Sequence, residues 1–509
     1  MAFDEIVRTL SDPATYGPGT TVDIVRTHGA MVFLAGDAAY KVKRPVTYDY
    51  LDFSTAARRE AMLRREFELN RPAAPDLYLG LVPLTRRADG GLALGGDGAP
   101  VEWCLHMRRF PEGAELSAVA ARSGINRGLA EAIGTTIADY HARAAARPED
   151  GHALIAASAA DLGAALGGMT EALDAAQVAR FRDRVAAEIA RHAALLSARG
   201  RAGHVRRGHG DLHLGNMVLL DGRPVPFDAL EFDERLATVD VLYDLAFAVM
   251  DLLHRGQREA AQSVLGAYLA RADMPDHFDG LALLPLFLGL RAGIRALVTV
   301  QAARLDDGPP GPRLAEARAY LGHALDYLSP PAPRLVATGG YSGTGKTTLA
   351  RHLAPLLDPV PGAIHLRSDV ERKAVFGVDP LSRLPQDAYS EAAGRRVYAR
   401  LLDRADRALR AGQSVILDAV FARAEERAAL AGLAQRRGVP LAGLWLWADR
   451  DTLVARVTAR RGDASDADAD VVRRQLASDA DADATGWTRI EAQDDPEAVL
   501  DRARAALGL

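Results

Sequence analysis

The run His209-Gly-Asp-Leu-His-Leu-Gly-Asn216 sets a carboxylate and an amide five positions apart. A carboxylate at Asp211 can accept the proton of an attacking hydroxyl. An amide oxygen a turn away, at Asn216, can hold Mg²⁺ on nucleotide phosphates, which is the division of labour that phosphoryl transfer needs. Met217 to Leu220 reads as a strand, Asp221-Gly222 as its hairpin turn and Pro224 to Phe227 as the return strand. That return delivers Asp228 beside Asn216, where a second metal-binding carboxylate belongs. The plain alternative is a polar loop followed by a hairpin with a capping Asp. One Asp-x-x-x-x-Asn match is common by chance, whereas base, amide, hairpin and second Asp in that order are much rarer.

A second constellation stands near the carboxyl end. Arg334 to Gly339 has the pattern of a buried strand and runs into Gly340-Tyr-Ser342-Gly343-Thr344-Gly345-Lys346-Thr347, a complete G-x-x-x-x-G-K-[ST], with an amphipathic helix from Thr348. Backbone amides from Ser342 to Lys346 would cradle a β-phosphate at the helix N-terminus, Lys346 would reach the β/γ oxygens, and Thr347 would hold Mg²⁺. Further strand patterns at Ala363 to Arg367, Ser414 to Asp418, Leu441 to Trp447 and Trp487 to Glu491 alternate with helices. This alternation predicts a parallel, doubly wound α/β sheet of about five strands.

The elements around the first constellation differ. Val22 to Arg26, Met31 to Ala35 and Ala39 to Lys43 are short β-rich runs separated by turns, the pattern of an antiparallel sheet. On the last of them Lys41 and Lys43 face one way, Tyr40 and Val42 the other. Residues 55 to 70 form a charged helix with Glu60, Glu66 and Glu68, Tyr78 to Leu84 and Val101 to Arg108 read as strands, and Ala-rich helices follow from about 113 to 200 and on to Leu328. Within them Arg291 and Arg295 lie four apart on an apolar helix and call for an anionic partner. Ser329-Pro-Pro-Ala-Pro333 is a stiff stretch that no helix can continue through. The expected organisation is therefore an N-terminal domain over 1–328 (small lobe 1–110, helical lobe 111–328), a linker at 329–333, and a P-loop domain over 334–509.

H-G-D-L-H-L-G-N followed by F-D-A-L-E-F resembles the aminoglycoside phosphotransferase family, small-molecule kinases with a protein-kinase-like α+β fold. The whole chain resembles bacterial proteins that fuse such a domain to a P-loop kinase. The resemblance implies Asp211 as catalytic base, Asn216 and Asp228 as metal ligands, His209 as the residue bracing the loop, and Asp244 as a structural brace, with a charge at a helix N-terminus as the alternative for Asp244 and Asp240. It also implies a strand lysine on the α/β-phosphates, held by a helical Glu. Lys43, just before Arg44-Pro45, fits that strand best, with Lys41 its rival; Glu66 is the preferred partner. Glu102 to Met107 falls where this fold hinges between lobes. No G-x-G-x-x-G loop precedes the lysines, a departure from protein kinases. In the second domain the likeness is to compact kinases of the gluconate-kinase and polynucleotide-kinase type. It implies that Asp369 takes the acceptor proton and that Arg372 binds the acceptor; Asp418, ending the third strand at the carboxyl edge where ligands sit, is expected to contact Mg²⁺-bound water or to orient the acceptor. Arg456, Arg460 and Arg461 would close as a lid over the transferring phosphate.

Composition narrows the rest. The net charge of −5 gives no sign of a polyanion-binding surface, which makes nucleic acid an improbable partner, and one cysteine, Cys104, excludes an internal disulfide. The N-terminus lacks a signal-peptide pattern and the apolar run Leu281 to Leu290 is too short to span a bilayer, so a cytoplasmic protein without membrane contact is expected. Of the 62 basic residues only Lys41, Lys43, Lys346 and Lys373 are lysine. Three fall in the nucleotide motifs and Lys373 falls near the candidate acceptor site. The expectation is an ATP- and Mg²⁺-dependent phosphotransferase with two kinase-like domains acting on hydroxyl groups of small molecules. Its alternatives are a nucleotide-dependent regulatory protein with one non-catalytic domain, or a nucleic-acid end kinase in the second domain.

Overall fold

The computed structural model describes residues 3–27, 29–48, 51–305, 311–379, 381–459, 462–477 and 486–509. Compactness divides the chain into two units, Met1–Ser158 with Leu196–Asp251, and Ala159–Leu195 with Leu252–Leu509.

The first unit begins with helix α1 (Phe3–Ser11) and the antiparallel strands β1 (Val22–Arg26), β2 (Ala30–Ala35) and β3 (Ala38–Lys43), with Gly36-Asp37 as a two-residue turn whose Gly36 takes φ 57°. Helix α2 (Ala56–Asn70) is capped by Thr55, whose hydroxyl accepts from Arg58 N. Strands β4 (Tyr78–Arg86), β5 (Leu92–Leu94) and β6 (Pro100–Arg108) complete a six-stranded sheet in the order β1-β2-β3-β6-β4-β5. Alternation along β3 sorts its side chains by face. Ala39 joins Leu105, Met107 and the α2 residue Leu63 in one apolar cluster. Val42 joins Phe33, Cys104 and the α1 residues Ile6 and Leu10 in another. Lys41 and Lys43 are thus on the α2 side, as expected.

Helices α3 (Leu116–Ser123) and α4 (Arg127–Arg143) follow. Helices α5 (Gly151–Gly167) and α6 (Ala175–Arg201) continue into the second unit. The chain returns through β7 (Val205–Arg207), the hairpin β8 (Met217–Leu220) and β9 (Arg223–Pro226), β10 (Thr238–Asp240) and helix α7 (Val241–His254). Asp221 and Gly222 at the hairpin tip both have positive φ, 50° and 76°, the geometry a two-residue turn demands. This is an α+β fold, a six-stranded antiparallel sheet followed by helices and short hairpins.

The second unit holds helices α8 (Arg258–Ala272), α9 (Pro275–Gly280), α10 (Leu284–Leu305) and α11 (Gly311–Tyr327) together with the P-loop fold. That fold runs β11 (Leu335–Gly339), α12 (Lys346–Leu353), β12 (Ile364–Arg367), α13 (Ser368–Val375), α14 (Glu391–Arg410), β13 (Val415–Asp418), α15 (Ala424–Arg437), β14 (Leu441–Trp447), α16 (Arg450–Ala459), α17 (Ala469–Ala477), β15 (Thr488–Glu491) and α18 (Pro496–Leu507). Every strand pair is parallel, in the order β12-β13-β11-β14-β15, the doubly wound α/β sheet expected. Its core packs Val336, Ile416, Leu444 and Ile490 against Leu349 and Leu353 of α12.

Two features differ from the sequence expectation. The compact units do not part at 329–333, because α8 and α9 are joined to α14 and to the segment before β12 by hydrogen bonds and ion pairs such as Arg407–Asp279 at 2.6 Å. The apolar run at Leu281 is also part of a longer helical stretch. Among the described residues, Pro275–Arg304 is long and apolar enough to cross a membrane by length and composition, and 67% of its apolar 18-residue window is buried. Arg295 there lies 5.8 Å over the Tyr320 ring.

Gly443 on β14 faces the Trp487 indole so closely that a Cβ would sit 2.3 Å from its Cδ2. Gly443→Ala should destabilise the second unit by about 1–3 kcal/mol, read as a lower denaturant midpoint for that unit's transition.

Candidate functional sites

The first site is built on the loop between β7 and β8. Asp244, on the first turn of α7 and wholly buried, accepts from His209 N at 2.7 Å and from Gly210 N at 3.0 Å, and lies 3.3 Å from His141 Nε2. Gly208 is needed for this approach: a Cβ there would stand 2.7 Å from the Asp244 carboxylate. The loop's far end is held by Asp251, which accepts from Leu214 N at 3.0 Å. His209 Nε2 faces Phe227 O at 2.9 Å and so carries the proton and donates, while burial lowers the ring's pKa and keeps it neutral. Asn216 Nδ2 donates to Asp211 Oδ2 at 2.8 Å and to Asp211 O at 2.9 Å, an arrangement that leaves the amide oxygen of Asn216 for a cation. Phe227 N donates to Asn216 O at 3.0 Å, which ties Asp228 to the same loop.

Asp228 takes φ 60°, unusual for a side chain other than glycine, and is fixed from both flanks. The Tyr78 hydroxyl accepts from Asp228 N at 3.0 Å and Asn70 Oδ1 accepts from Ala229 N at 2.8 Å. Lys41 Nζ bridges Glu66 Oε1 and Asp228 Oδ1, both at 2.7 Å; Lys43 Nζ bridges Glu66 Oε2 and Glu231 Oε1, both at 2.6 Å. The Asp228 side chain is half-buried; partial desolvation works against its charge, but Lys41 outweighs it and holds the carboxyl below its ordinary value. Burial likewise opposes the Lys41 ammonium, and Asp228 and Glu66 raise its pKa well above the usual lysine value.

Glu66, the preferred helical partner, is wholly buried between the two lysines, whereas Glu60 pairs with Arg64 in solvent. Lys43, favoured for the phosphates, and its rival Lys41 both reach Glu66, and Lys41 is the one that also meets Asp228. Along the strand Lys43 lies two residues nearer its end, and there it meets Glu231. Asp240 faces Arg199, at 2.7 and 2.8 Å, in a buried pair apart from the loop. Glu102, at the expected hinge, is spent on Arg59 at 2.6 Å.

The second site surrounds the phosphate loop. Gly340, Gly343 and Gly345 all have positive φ, and a Cβ at Gly340 would stand 2.2 Å from Leu446 O. Thr347 Oγ1 donates to Asp418 Oδ2 at 2.6 Å, and Lys346 Nζ donates to Tyr341 O at 2.8 Å. Ser342 N donates to Gln475 Oε1 at 2.8 Å, so an amide oxygen from α17 occupies the donor that a phosphate oxygen would use. Asp418 is buried, which raises its pKa, yet His365 at 3.5 Å, Arg367 at 3.7 Å and Lys346 outweigh this and bring it down to about 2. Asp369 and Arg372 open α13 and share a cleft of about 650 Å³ with Lys346, Thr347, Tyr389 and Arg474. Arg372 Nη1 donates to Ala388 O at 2.7 Å, and its guanidinium lies 5.0 Å over the Tyr389 ring. A second recess of about 450 Å³ adjoins Thr344, Gly345 and Thr348 on the side of Arg456 and Asp495.

Arg456 differs from expectation. It does not face the transferring end; Nη1 donates to Ala492 O at 2.6 Å and Nη2 to Gln493 O at 3.2 Å, at the edge of that second recess. The helix α16 carries it along the sheet's outer end instead of over the cleft. Arg460 and Arg461 lie outside the described residues. Lys373 is buried and joined to Asp466 and Ser382 O, closing the segment 382–389 against 463–466. Sequence reasoning did not find Glu231, Asn70, Tyr78, Asp251, Tyr389, Arg474 or Gln475 as site residues. Only Glu231 had a signal, an acidic residue three beyond Asp228. Among the described residues no group of three or more His, Cys, Asp or Glu is placed to hold a metal unaided.

Fold and sites together define a chain of two different architectures, an α+β fold with an Asp-x-x-x-x-Asn loop and a P-loop α/β fold. Residues 335–480 match a family model described as an AAA domain. Over 459 residues, 88% of this chain and 88% of the relative, the chain is 31% identical to uncharacterized protein Rv2004c of Mycobacterium tuberculosis, and it belongs to that protein's family. Among solved structures, the GDP complex of aminoglycoside 2'-phosphotransferase-IIIa is 12% identical, covering 64% of this chain and 99% of that one with a TM-score of 0.37. A gluconokinase from Sinorhizobium meliloti 1021 is 18% identical, covering 35% and 92%, with a TM-score of 0.26.

Asp244→Ala would leave two buried amides without an acceptor. It should cost about 2–5 kcal/mol, seen as a lower melting temperature of the full chain.

Proposed function

We propose that the protein is an ATP-dependent phosphotransferase with two sites, each passing the γ-phosphoryl group to a hydroxyl of a small molecule. The observation that carries this reading is the first site's linked set: Asp211 and Asn216 joined at 2.8 Å, with Asp228 tied to the same loop and paired with Lys41. A proton acceptor, cation-binding oxygens and a phosphate-binding ammonium are thus supplied by one rigid assembly.

At this site Asp211 takes the proton of the acceptor hydroxyl as its oxygen bonds to the γ-phosphorus and the bond to the β-phosphate oxygen breaks. The donor set fits Mg²⁺: the Asn216 amide oxygen and the Asp228 carboxylate are hard oxygen ligands, and the two of them suit an ion that takes its remaining ligands from water and phosphate. Bound there, Mg²⁺ would neutralise phosphate charge. Lys41, beside Asp228, is the residue we assign to the phosphates, and Lys43 with Glu231 holds Glu66 in place.

At the second site the loop amides and Lys346 bind phosphate, and Thr347 with Asp418 would hold Mg²⁺. Asp369 takes the acceptor proton and Arg372 orients the acceptor. The recess beyond Thr348 suits the base and ribose, because it adjoins the phosphate loop on the side away from Asp369. A consumer of ATP with one buried cysteine is best placed in the cytoplasm.

Asp211→Asn should lower first-site transfer by roughly 100- to 10,000-fold while nucleotide affinity stays near normal. Lys41→Met should weaken Mg²⁺·ATP binding to that site by roughly 10- to 100-fold and Lys43→Met by much less. Calorimetric titration and turnover over a panel of sugars, aminoglycosides and nucleosides would check both, and equal effects of the two lysine changes would refute the assignment of Lys41.

At the second site Asp369→Asn should remove acceptor-dependent turnover and spare nucleotide binding. Normal turnover by that variant would reduce Asp369 to a helix-terminus charge.

A further inference from the structure

The strand and helix that carry Asp369 are held from outside the nucleotide fold. Ahead of β12, Gln262 Nε2 of α8 donates to Ala363 O at 3.0 Å. Gly362, at φ 142°, lies so near that a Cβ would stand 3.0 Å from the Gln262 Cγ. One turn back on α8, Arg258 donates to Leu357 O at 3.0 Å and pairs with Asp358 at 2.8 Å.

A second grip acts on α13. Glu371, between Asp369 and Arg372, is buried, and it receives Arg400 Nε and Arg404 Nη1, each at 2.7 Å. The same two arginines turn their Nη2 atoms onto one carboxylate oxygen of Asp273. Asp273 ends α8 in the left-handed conformation, φ 50°. Arg404 also stacks 5.1 Å over the Phe278 ring of α9. Each guanidinium therefore spans two carboxylates with different nitrogens, one on α13 and one at the end of α8. A buried carboxylate such as Glu371 tolerates little displacement from its cations, since any gap leaves charge uncompensated. The neighbouring pair, Arg407 and Arg410 on Asp279, both at 2.6 Å, joins α14 to α9 without involving Glu371.

We propose that Asp273 and Gln262 are positioning residues of the P-loop site. Through Arg400, Arg404 and Glu371 at one end, and through Ala363 at the other, they fix the β12–α13 element that presents Asp369 and Arg372. The helices α8 and α9 are then a working part of the second site. This rests on the reading of that site as a phosphotransferase.

The test uses the full chain, Mg²⁺·ATP with water as the acceptor, and ADP as the binding probe. Second-site turnover is the part that Lys346→Ala removes. Asp273→Asn should lower it roughly 10- to 100-fold, the scale expected for small misplacement of a reacting group. ADP affinity should stay unchanged, and amide hydrogen exchange over 364–376 should quicken. Asp279→Asn, which removes ion pairs of the same kind that do not reach Glu371, should change neither turnover nor exchange. Equal turnover in the two variants overturns the proposal. So does a parallel fall of turnover and ADP affinity in Asp273→Asn, which is what plain loss of structure would give. If Lys346→Ala leaves ATP turnover untouched, the phosphotransferase reading of the second site fails by itself. Exchange then decides the positioning claim: quickening confined to Asp273→Asn supports it, and its absence overturns it.

Discussion

Burying Glu66 governs the first site. A carboxylate removed from water is tolerable only when cations replace the lost solvation, and here two ammonium groups do so at 2.7 and 2.6 Å. Their own burial brings in two further carboxylates, Asp228 and Glu231. The result is a closed alternation of charges that draws strand β3, helix α2 and the segment 228–231 to one point. Moving any of these elements by an ångström would strand a charge in a poorly solvated place. On the proposed assignment, Lys43 would hold Glu66 while Lys41 exchanged its Asp228 contact for phosphate, so Glu66 would keep a cation throughout.

The second site meets a comparable demand with backbone. Its proposed anion-binding groups are loop amides at the N-terminus of α12, where aligned peptide dipoles favour negative charge, with Lys346 and Thr347 beside them. Asp418, depressed to about 2 by His365, Arg367 and Lys346 against the effect of burial, stays ionised and keeps the Thr347 hydroxyl aimed. Arg367 also pairs with Asp463 at 2.9 Å, so the segment after α16 is linked through Arg367 to Asp418, the carboxylate that holds the Thr347 hydroxyl.

The parts legible in sequence are those with short-range causes. Period-two alternation placed Lys41 and Lys43 on one face, Asp221-Gly222 announced its hairpin, and the glycine loop between strand and helix announced the P-loop fold. What escaped was set by partners distant in the chain. Choosing between Lys41 and Lys43 needs to know that Asp228 arrives beside one and Glu231 beside the other, nearly two hundred positions away. Arg456 stood as a lid residue on the strength of the resemblance, yet the carbonyls of 492 and 493 receive it just past the end of another strand. Gln475 had no signal, because a Gln on a polar helix face is ordinary until its oxygen meets Ser342 N. The proline run at 329–333 did mark the start of a new fold but not a break in packing, since a linker's stiffness says nothing about which surfaces meet beyond it.

The scarcity of lysine acquires a physical sense from these contacts. Lys41 and Lys43 each join two carboxylates that approach from different directions, and Lys373 joins a carbonyl and a carboxylate in the same way. A tetrahedral ammonium on a flexible stem can do this in a narrow space where a planar guanidinium cannot turn. The seam between α14 and Asp273 needs the opposite property. Arg400 and Arg404 must reach Glu371 on α13 and Asp273 at the end of α8 at once, which the wide fork of a guanidinium spans. Replacing either arginine by lysine would keep the charge but force a choice between the two carboxylates. An arginine-biased composition is therefore compatible with every ion pair at that seam, while the lysines remain where convergence matters more than reach.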